Sequence, residues 1–193
     1  MELIDRIKND LKEILSEKRY IHSIGVMEMC EILAKKYNVD VETAKLAGLL
    51  HDIAKEMKPV EMLKYVKENN IPINDVERLN TQILHGKIGA DVAKKKYAVS
   101  EQIQNAIKYH TTTSTKMDTL AKIVFVSDKI ELNRKSVTYD IESERKLAME
   151  NLDATVLLII NNNIKGLVAM DKLINQESID TRNMLISKMK YNK

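Results

Sequence analysis

The stretch LAGLLHDIAKE, residues 46–56, constrains the fold more than any other part of the chain. Its Ala- and Leu-rich run reads as a buried helix, yet it ends on His51 followed by Asp52. Stripping a carboxylate of its water without compensation costs several kcal/mol or more. A fold that buries this run must therefore bring a cation, hydrogen-bond donors or a metal to Asp52. Lys55 lies four residues after His51 and three after Asp52, so on a helix it projects over the same face and can meet an anionic substrate. Taken alone, a His-Asp pair is more often a core histidine satisfied by its neighbours than a metal site.

The rest of the sequence shifts that balance. There are only four histidines, and the other three recur in similar settings: His22 in RYIHSIGV, His85 in TQILHGKIGA and His110 in AIKYHTTTS. Each ends or interrupts an apolar helical pattern. A second isolated carboxylate, Asp128, follows the apolar run AKIVFVS.

The apolar residues repeat at helical spacing nearly throughout. Leu3, Ile4, Ile7, Leu11, Ile14 and Leu15 predict a first amphipathic helix. A second is expected over 19–37, where His22 shares a face with Val26, Met29 and Leu33. Asp40 suits the cap of a third, which carries His51 and Asp52. Pro59 suits the first turn of a fourth over 59–68, and 69–75 is the clearest break. Helices follow over 82–97, with His85 in the first turn, and over 100–110, with His110 on the inward stripe. A polar loop covers 111–116. Leu120, Ala121, Val124, Phe125 and Asp128 trace another inward stripe. Two more helices carry Leu147, Leu152, Val156, Ile160, Ile164, Leu167 and Val168, and a last one covers 178–189. Sustained period-two alternation with hairpin turns is missing, so the expected class is all-α, a helical bundle. Gly86 and Gly89 in HGKIG lack a dinucleotide or P-loop context and read as close helix contacts.

With 193 residues, 44% hydrophobic and 31% charged, the chain has the length and composition of one globular domain. The expected unit is 1–193, its core about 19–135, with C-terminal helices completing the bundle. A formal charge of +3, scattered among acidic residues, leaves no polybasic footprint for nucleic acid. The single cysteine, Cys30, excludes an internal disulfide, suits a reducing compartment and reads as a small core residue. The N-terminus has no continuous apolar h-region, and the run 156–160 is followed by three asparagines, so neither a secretory signal nor a membrane span is expected. A cytoplasmic protein is the expectation. The methionine-rich stretches 26–30 and 184–189 offer faces for a homodimer, although core packing is the commoner use of methionine.

His22, His51, Asp52, His85, His110 and Asp128 together make four imidazoles and two carboxylates from five helices. Such a donor set suits one or two divalent first-row metals, with iron, manganese, zinc or nickel all compatible, and the lack of cysteine argues against a structural zinc. Paired metals can bridge a hydroxide and clamp the attacking and leaving oxygens of a phosphoester or phosphoanhydride. Lys55, with Arg19 and Arg134 behind it, would neutralise phosphate oxygens. For either arginine alone, a solvated surface role is the commoner one.

The order His, His-Asp, His, His and a late Asp resembles the HD-domain superfamily of metal-dependent phosphohydrolases. The words RYIHS, HDIAK, TQILHG, YHTT and SDKIELNR, spread over residues 19–182, resemble the YqeK family of symmetrical bis(5'-nucleosyl)-tetraphosphatases. That resemblance implies hydrolysis of diadenosine tetraphosphate to two ADP by a metal-bridged hydroxide at a di-iron centre. It implies one metal held by His22, His51, Asp52 and Asp128, and a second by His85 and His110, with Asp52 bridging. Asp52 and Lys55 would serve catalysis, and Arg19, Lys55, Thr111 and Arg134 would face the phosphates. The chain departs from the family where HTTG becomes His110-Thr111-Thr112-Thr113 and where Leu132 replaces the proline of the EPxR word. Tyr109 and Tyr139 are candidates for stacking on a base. The competing readings are another HD-type hydrolase acting on nucleoside mono- or triphosphates or cyclic nucleotides, and a helical module that binds nucleotides without catalysis.

Overall fold

The computed structural model describes residues 3–134 and 140–191. Among these there is no strand; eleven α-helices and one 3-10 turn make the fold. The helices are α1 (Leu3–Ile14), α2 (Glu17–Tyr37), α3 (Val41–Leu50), α4 (Pro59–Glu68), α5 (Asp75–Leu79), α6 (His85–Tyr97), α7 (Glu101–Tyr109), α8 (Thr119–Ile130), α9 (Ile141–Glu150), α10 (Leu152–Ala169) and α11 (Gln176–Lys190), with the 3-10 turn at Thr81–Leu84.

Local chemistry sets several boundaries. The Asp40 carboxylate accepts from the Thr43 amide at 2.8 Å and starts α3, and Ser100 and Asp118 cap α7 and α8 in the same way. Pro59 opens α4, where its missing N–H is no loss. The short α5, which starts where the expected break ends, is stabilised by a reciprocal cap: Asn74 accepts from the Glu77 amide while Glu77 accepts from the Asn74 amide.

The layers follow from the apolar faces. α2, α3, α7 and α8 pack around a core that includes Val26, Leu33, Leu49, Leu50, Ile107, Leu120 and Phe125. A smaller cluster of Ala54, Met62, Val66, Leu84 and Ile88 joins α4 to α6. Both expected close contacts are present. A Cβ on Gly86 would stand 2.9 Å from the Lys108 carbonyl and one on Gly89 3.3 Å from Ile53, so α6 lies against α7 and the segment after α3. Cys30 is fully buried.

α10 is long and apolar enough to cross a membrane by length and composition. Here it packs through Leu152, Val156, Ile159 and Ile160 onto its neighbours, and its asparagines are used in part: Asn161 accepts from Arg182 at 2.6 Å and Asn162 donates to Glu144 at 3.3 Å. Val168, one of the apolar residues that marked these helices in the sequence, is 60% exposed in the last turn of α10.

Candidate metal centre

All six candidate ligands converge, and the way each is held explains the convergence. α3 ends at Leu50, so His51 and Asp52 follow the helix instead of sitting within it, in a run of turns over 51–56. Helix ends leave carbonyls without partners. The His51 ring uses one, donating from Nδ1 to the Gly48 carbonyl at 2.7 Å. His110, at the end of α7, does the same to the Ile107 carbonyl at 2.6 Å. His85, between the 3-10 turn and α6, donates from Nδ1 to the Gln82 carbonyl. His22 lies mid-helix, where the carbonyls are already taken, and its Nδ1 meets the Glu131 carboxylate at 3.4 Å. Every Nδ1 is thus engaged, which leaves four Nε2 atoms aimed at one place.

Those atoms lie close together. His22 Nε2 is 3.0 Å from Asp128 Oδ1, and His51 Nε2 is 3.7 Å from that same oxygen and 3.6 Å from Asp52 Oδ2. On the other side, Asp52 Oδ1 is 3.2 Å from His85 Nε2 and 3.4 Å from His110 Nε2. The Asp52 carboxylate therefore turns one oxygen to each group. The rings stack edge to face in a chain, His22 to His51 to His110 to His85, with centroids 4.9–5.2 Å apart.

The donor set fits a divalent metal. With the Nδ1 protons spent on carbonyls, the Nε2 atoms of His51, His85 and His110 carry lone pairs, so their approach to Asp52 is repulsive between acceptors rather than a hydrogen bond. Accordingly His51 Nε2 and Asp52 Oδ1 are buried without a hydrogen-bond partner. Ligand atoms bound side by side on one first-row ion at about 2.0–2.2 Å stand roughly 3 Å from each other, close to the shortest separations here. The triads His22, His51, Asp128 and His51, Asp52, His110 each offer atoms within 4.8 Å of one another.

The electrostatics agree. Burial would raise the Asp52 carboxyl, but His51, His110 and His85, when their rings are protonated, outweigh it and hold it well below the usual range. Asp128 is likewise held down against its burial by Lys129, His22 and His51. Burial would lower His22, yet its bonds to Asp128 and Glu131 lift it to about 9. Burial dominates at His110 and pushes it down to about 4.

The expected phosphate-facing groups also border the centre. Arg19 Nη1 is 3.5 Å from Asp52 Oδ2, Lys55 Nζ 3.7 Å from Asp52 Oδ1, and Arg134 Nη2 3.8 Å from Asp128 Oδ1. Lys55 reaches Asp52 although the helix has ended, because the turns over 51–56 bond residue to residue three apart, including Lys55 N–H to the Asp52 carbonyl at 2.9 Å. Burial lowers the Lys55 ammonium. The Thr111 hydroxyl is 3.1 Å from both His85 Nε2 and His110 Nε2. Tyr109 lines a separate cavity of about 740 Å3 that none of the six residues lines. Tyr139 lies outside the described residues.

Two neighbours escaped sequence reasoning. Glu131 is buried and orients His22; Arg145 fixes its backbone, donating to the Glu131 carbonyl at 2.5 Å. A Cβ on Gly25 would come within 2.4 Å of the Glu131 carboxylate, so the glycine makes room for it. Lys129 Nζ is 2.8 Å from Asp128 Oδ2. Both belong to the word SDKIELNR, but spacing alone assigns them nothing.

The two departures from the family pattern have a backbone reading. Thr113 has φ +59°, the left-handed region that favours glycine, which is the residue the pattern has there. Glu131 is extended, with φ −53° and ψ 156°, the conformation expected before the proline that Leu132 replaces.

Residues 19–133 match the HD domain, and the chain belongs to that family. Among curated relatives it is 33% identical over 181 residues to "Bis(5'-nucleosyl)-tetraphosphatase, symmetrical" of Staphylococcus aureus, covering 93% of each chain. To the protein of the same description from Bacillus subtilis it is 31% identical over 178 residues, 92% of this chain and 94% of that one. Among solved structures, a "predicted HD superfamily hydrolase involved in NAD metabolism" from Clostridium acetobutylicum superposes with a TM-score of 0.92 at 35% identity, over 97% of this chain and 99% of that one.

Proposed function

We propose that this chain is a metal-dependent hydrolase that cleaves diadenosine tetraphosphate symmetrically to two ADP, working as one domain over 1–193. The observation that carries the reading is the Asp52 carboxylate, which presents one oxygen to His51 and the other to His85 and His110. Similarity to two symmetrical tetraphosphatases over more than nine-tenths of the chain supports the substrate.

His22, His51, Asp52 and Asp128 would hold one divalent metal, and His85 and His110 a second, with Asp52 shared. Iron is the first choice, with manganese, nickel or zinc also compatible with these donors. Bound there, the metals would supply Lewis acidity, enough to acidify a water and neutralise phosphate oxygens. The chain supplies the rest. Asp52, whose carboxyl is held well below the usual range, would keep the two sites together. Arg19 and Arg134 stand at the Asp52 and Asp128 carboxylates, where they can take the charge of a polyphosphate. Lys55, beside Asp52 and 3.1 Å from His85 Nε2, can meet the oxygen of the departing diphosphate. Cleavage between the two inner phosphates leaves ADP on each side, because the grip is on the middle of a symmetric substrate.

Chromatography of the products of diadenosine tetraphosphate, with iron or manganese supplied, tests this. ADP as the sole product is expected, and turnover above that on nucleoside mono- and triphosphates or cyclic nucleotides. AMP with ATP in equal amounts would exclude symmetric cleavage. Asp52→Asn should lower turnover by about a thousandfold or more without changing helix content by circular dichroism.

A further inference from the structure

We propose that a groove beside the histidine centre, closed by α10, takes the purine base of the nucleotide, with the Asn163 carboxamide reading the edge of the ring; this rests on the nucleotide reading above. The groove encloses about 330 Å3 between residues 111–113, α8, α10 and the start of α11. Thr111 is one of its lining residues. The hydroxyl of that residue is 3.1 Å from Nε2 of both His85 and His110, so the groove and the histidine centre share Thr111 as a neighbour.

Its lining divides the labour with the centre. Phe125, Ile160, Ile164 and Leu167 make apolar walls, and no Lys, Arg, Asp or Glu is among the described lining residues. The cations stand at Asp52 and Asp128 instead. A neutral slot of this size suits a flat heterocycle, and a polyphosphate suits the cations. The larger cavity beside Tyr109 is lined by charges of both signs and reaches none of the six centre residues.

Two residues of α10 have no role in holding the helix. Asparagine is a poor helix former, and the run of three stands mid-helix. Asn161 and Asn162 bond to Arg182 and Glu144, whereas Asn163 has no side-chain partner among the described residues and lines the groove. Gly166 also lines it, and a Cβ built there meets nothing within 4 Å. Close helix packing therefore does not call for this glycine; what its missing side chain leaves is open groove. A carboxamide offers an acceptor and a donor side by side, the complement of adenine's amino group and its neighbouring ring nitrogen. A carboxylate offers acceptors alone, the complement of the two adjacent N–H donors of guanine.

Calorimetric titration of ADP and of GDP into the full chain, wild type and variants, tests the assignment. Gly166→Leu puts a better helix former into open space, so its melting temperature should equal or exceed that of wild type while its ADP affinity falls about tenfold or more. Asn163→Asp should lower the ratio of ADP to GDP affinity about tenfold. No ADP binding by wild type, ADP affinity of Gly166→Leu within about twofold of wild type, or an unchanged ratio in Asn163→Asp overturns the proposal. Because the readout is binding, a wild type that binds ADP in the groove yet yields no ADP from diadenosine tetraphosphate would sink the hydrolase reading and leave the groove assignment intact.

Discussion

The Nε2 atoms of His85 and His110 stand 3.0 Å apart, although each ring has given its Nδ1 proton to a backbone carbonyl. Two lone pairs at that separation repel, and Asp52 Oδ1 adds a third acceptor 3.2 Å and 3.4 Å away. A divalent cation turns the repulsion into ligation. The chain has therefore built a locally unfavourable arrangement that metal binding relieves.

Metal should stabilise the fold accordingly. A ligand at a hundred times its dissociation constant contributes about 2.7 kcal/mol, which for a chain of this length shifts the melting temperature by about 5–10 °C. Scanning calorimetry of the chelated chain against the chain with saturating Mn2+ checks this; equal melting temperatures would leave the histidine cluster without a cation to hold.

Loading should also release a proton. His22 is held at about 9 by Asp128 and Glu131 against its burial, so at pH 7.5 it is protonated, and ligation through Nε2 requires it neutral. Affinity should then rise with pH through the range below 9, close to tenfold for each pH unit, as competition with about one proton dictates. Titrations in buffers of different ionisation enthalpy measure that proton directly. A slope of zero would mean that His22 is neutral before the metal arrives or does not ligate it.

Glu131 should matter though it touches no ligand position except through His22. Removing an outer partner of a ligating histidine typically loses 10–100-fold in metal affinity, and Glu131→Ala should fall in that range, with Glu131→Gln recovering most of the loss. Gly25→Ala, which crowds the same carboxylate, should act in the same direction. Metal titration followed by circular dichroism separates this from unfolding; unaltered affinity in Glu131→Ala would reduce the residue to packing.

Thr113 carries backbone strain. A β-branched residue at φ +59° is disfavoured by about 1–2 kcal/mol, partly offset by the greater freedom of glycine in the unfolded chain. Thr113→Gly should gain up to about 1 kcal/mol, or about 2–4 °C in melting temperature. A lower melting temperature would mean that the bond from Thr113 Oγ1 to the Thr112 carbonyl, 2.6 Å long, outweighs the strain.

Much of the architecture could be read along the chain because it depends on neighbours in sequence. The caps at Asp40 and Ser100, the proline start of α4 and the inward stripe of α8 are local chemistry, and each appears where the spacing puts it. The burial of His51, Asp52, His85, His110 and Asp128 was legible for the same reason, since each interrupts an apolar stripe. The end of α3 was not. A helix continuing through the His-Asp pair and one stopping just before it have the same apolar pattern, and the choice depends on which carbonyls the His51 ring and the turns of 51–56 can use.

An all-helical chain with four imidazoles and two carboxylates on its inward faces follows from local patterning alone, because helix period and burial are set by residues a few positions apart. Folding in three dimensions was needed to bring Glu131 to His22 across 109 positions, to set Tyr109 in a cavity apart from the six ligand residues, and to close a neutral groove beside Thr111 with α10. These are contacts between distant segments, and no local periodicity encodes which of them meet.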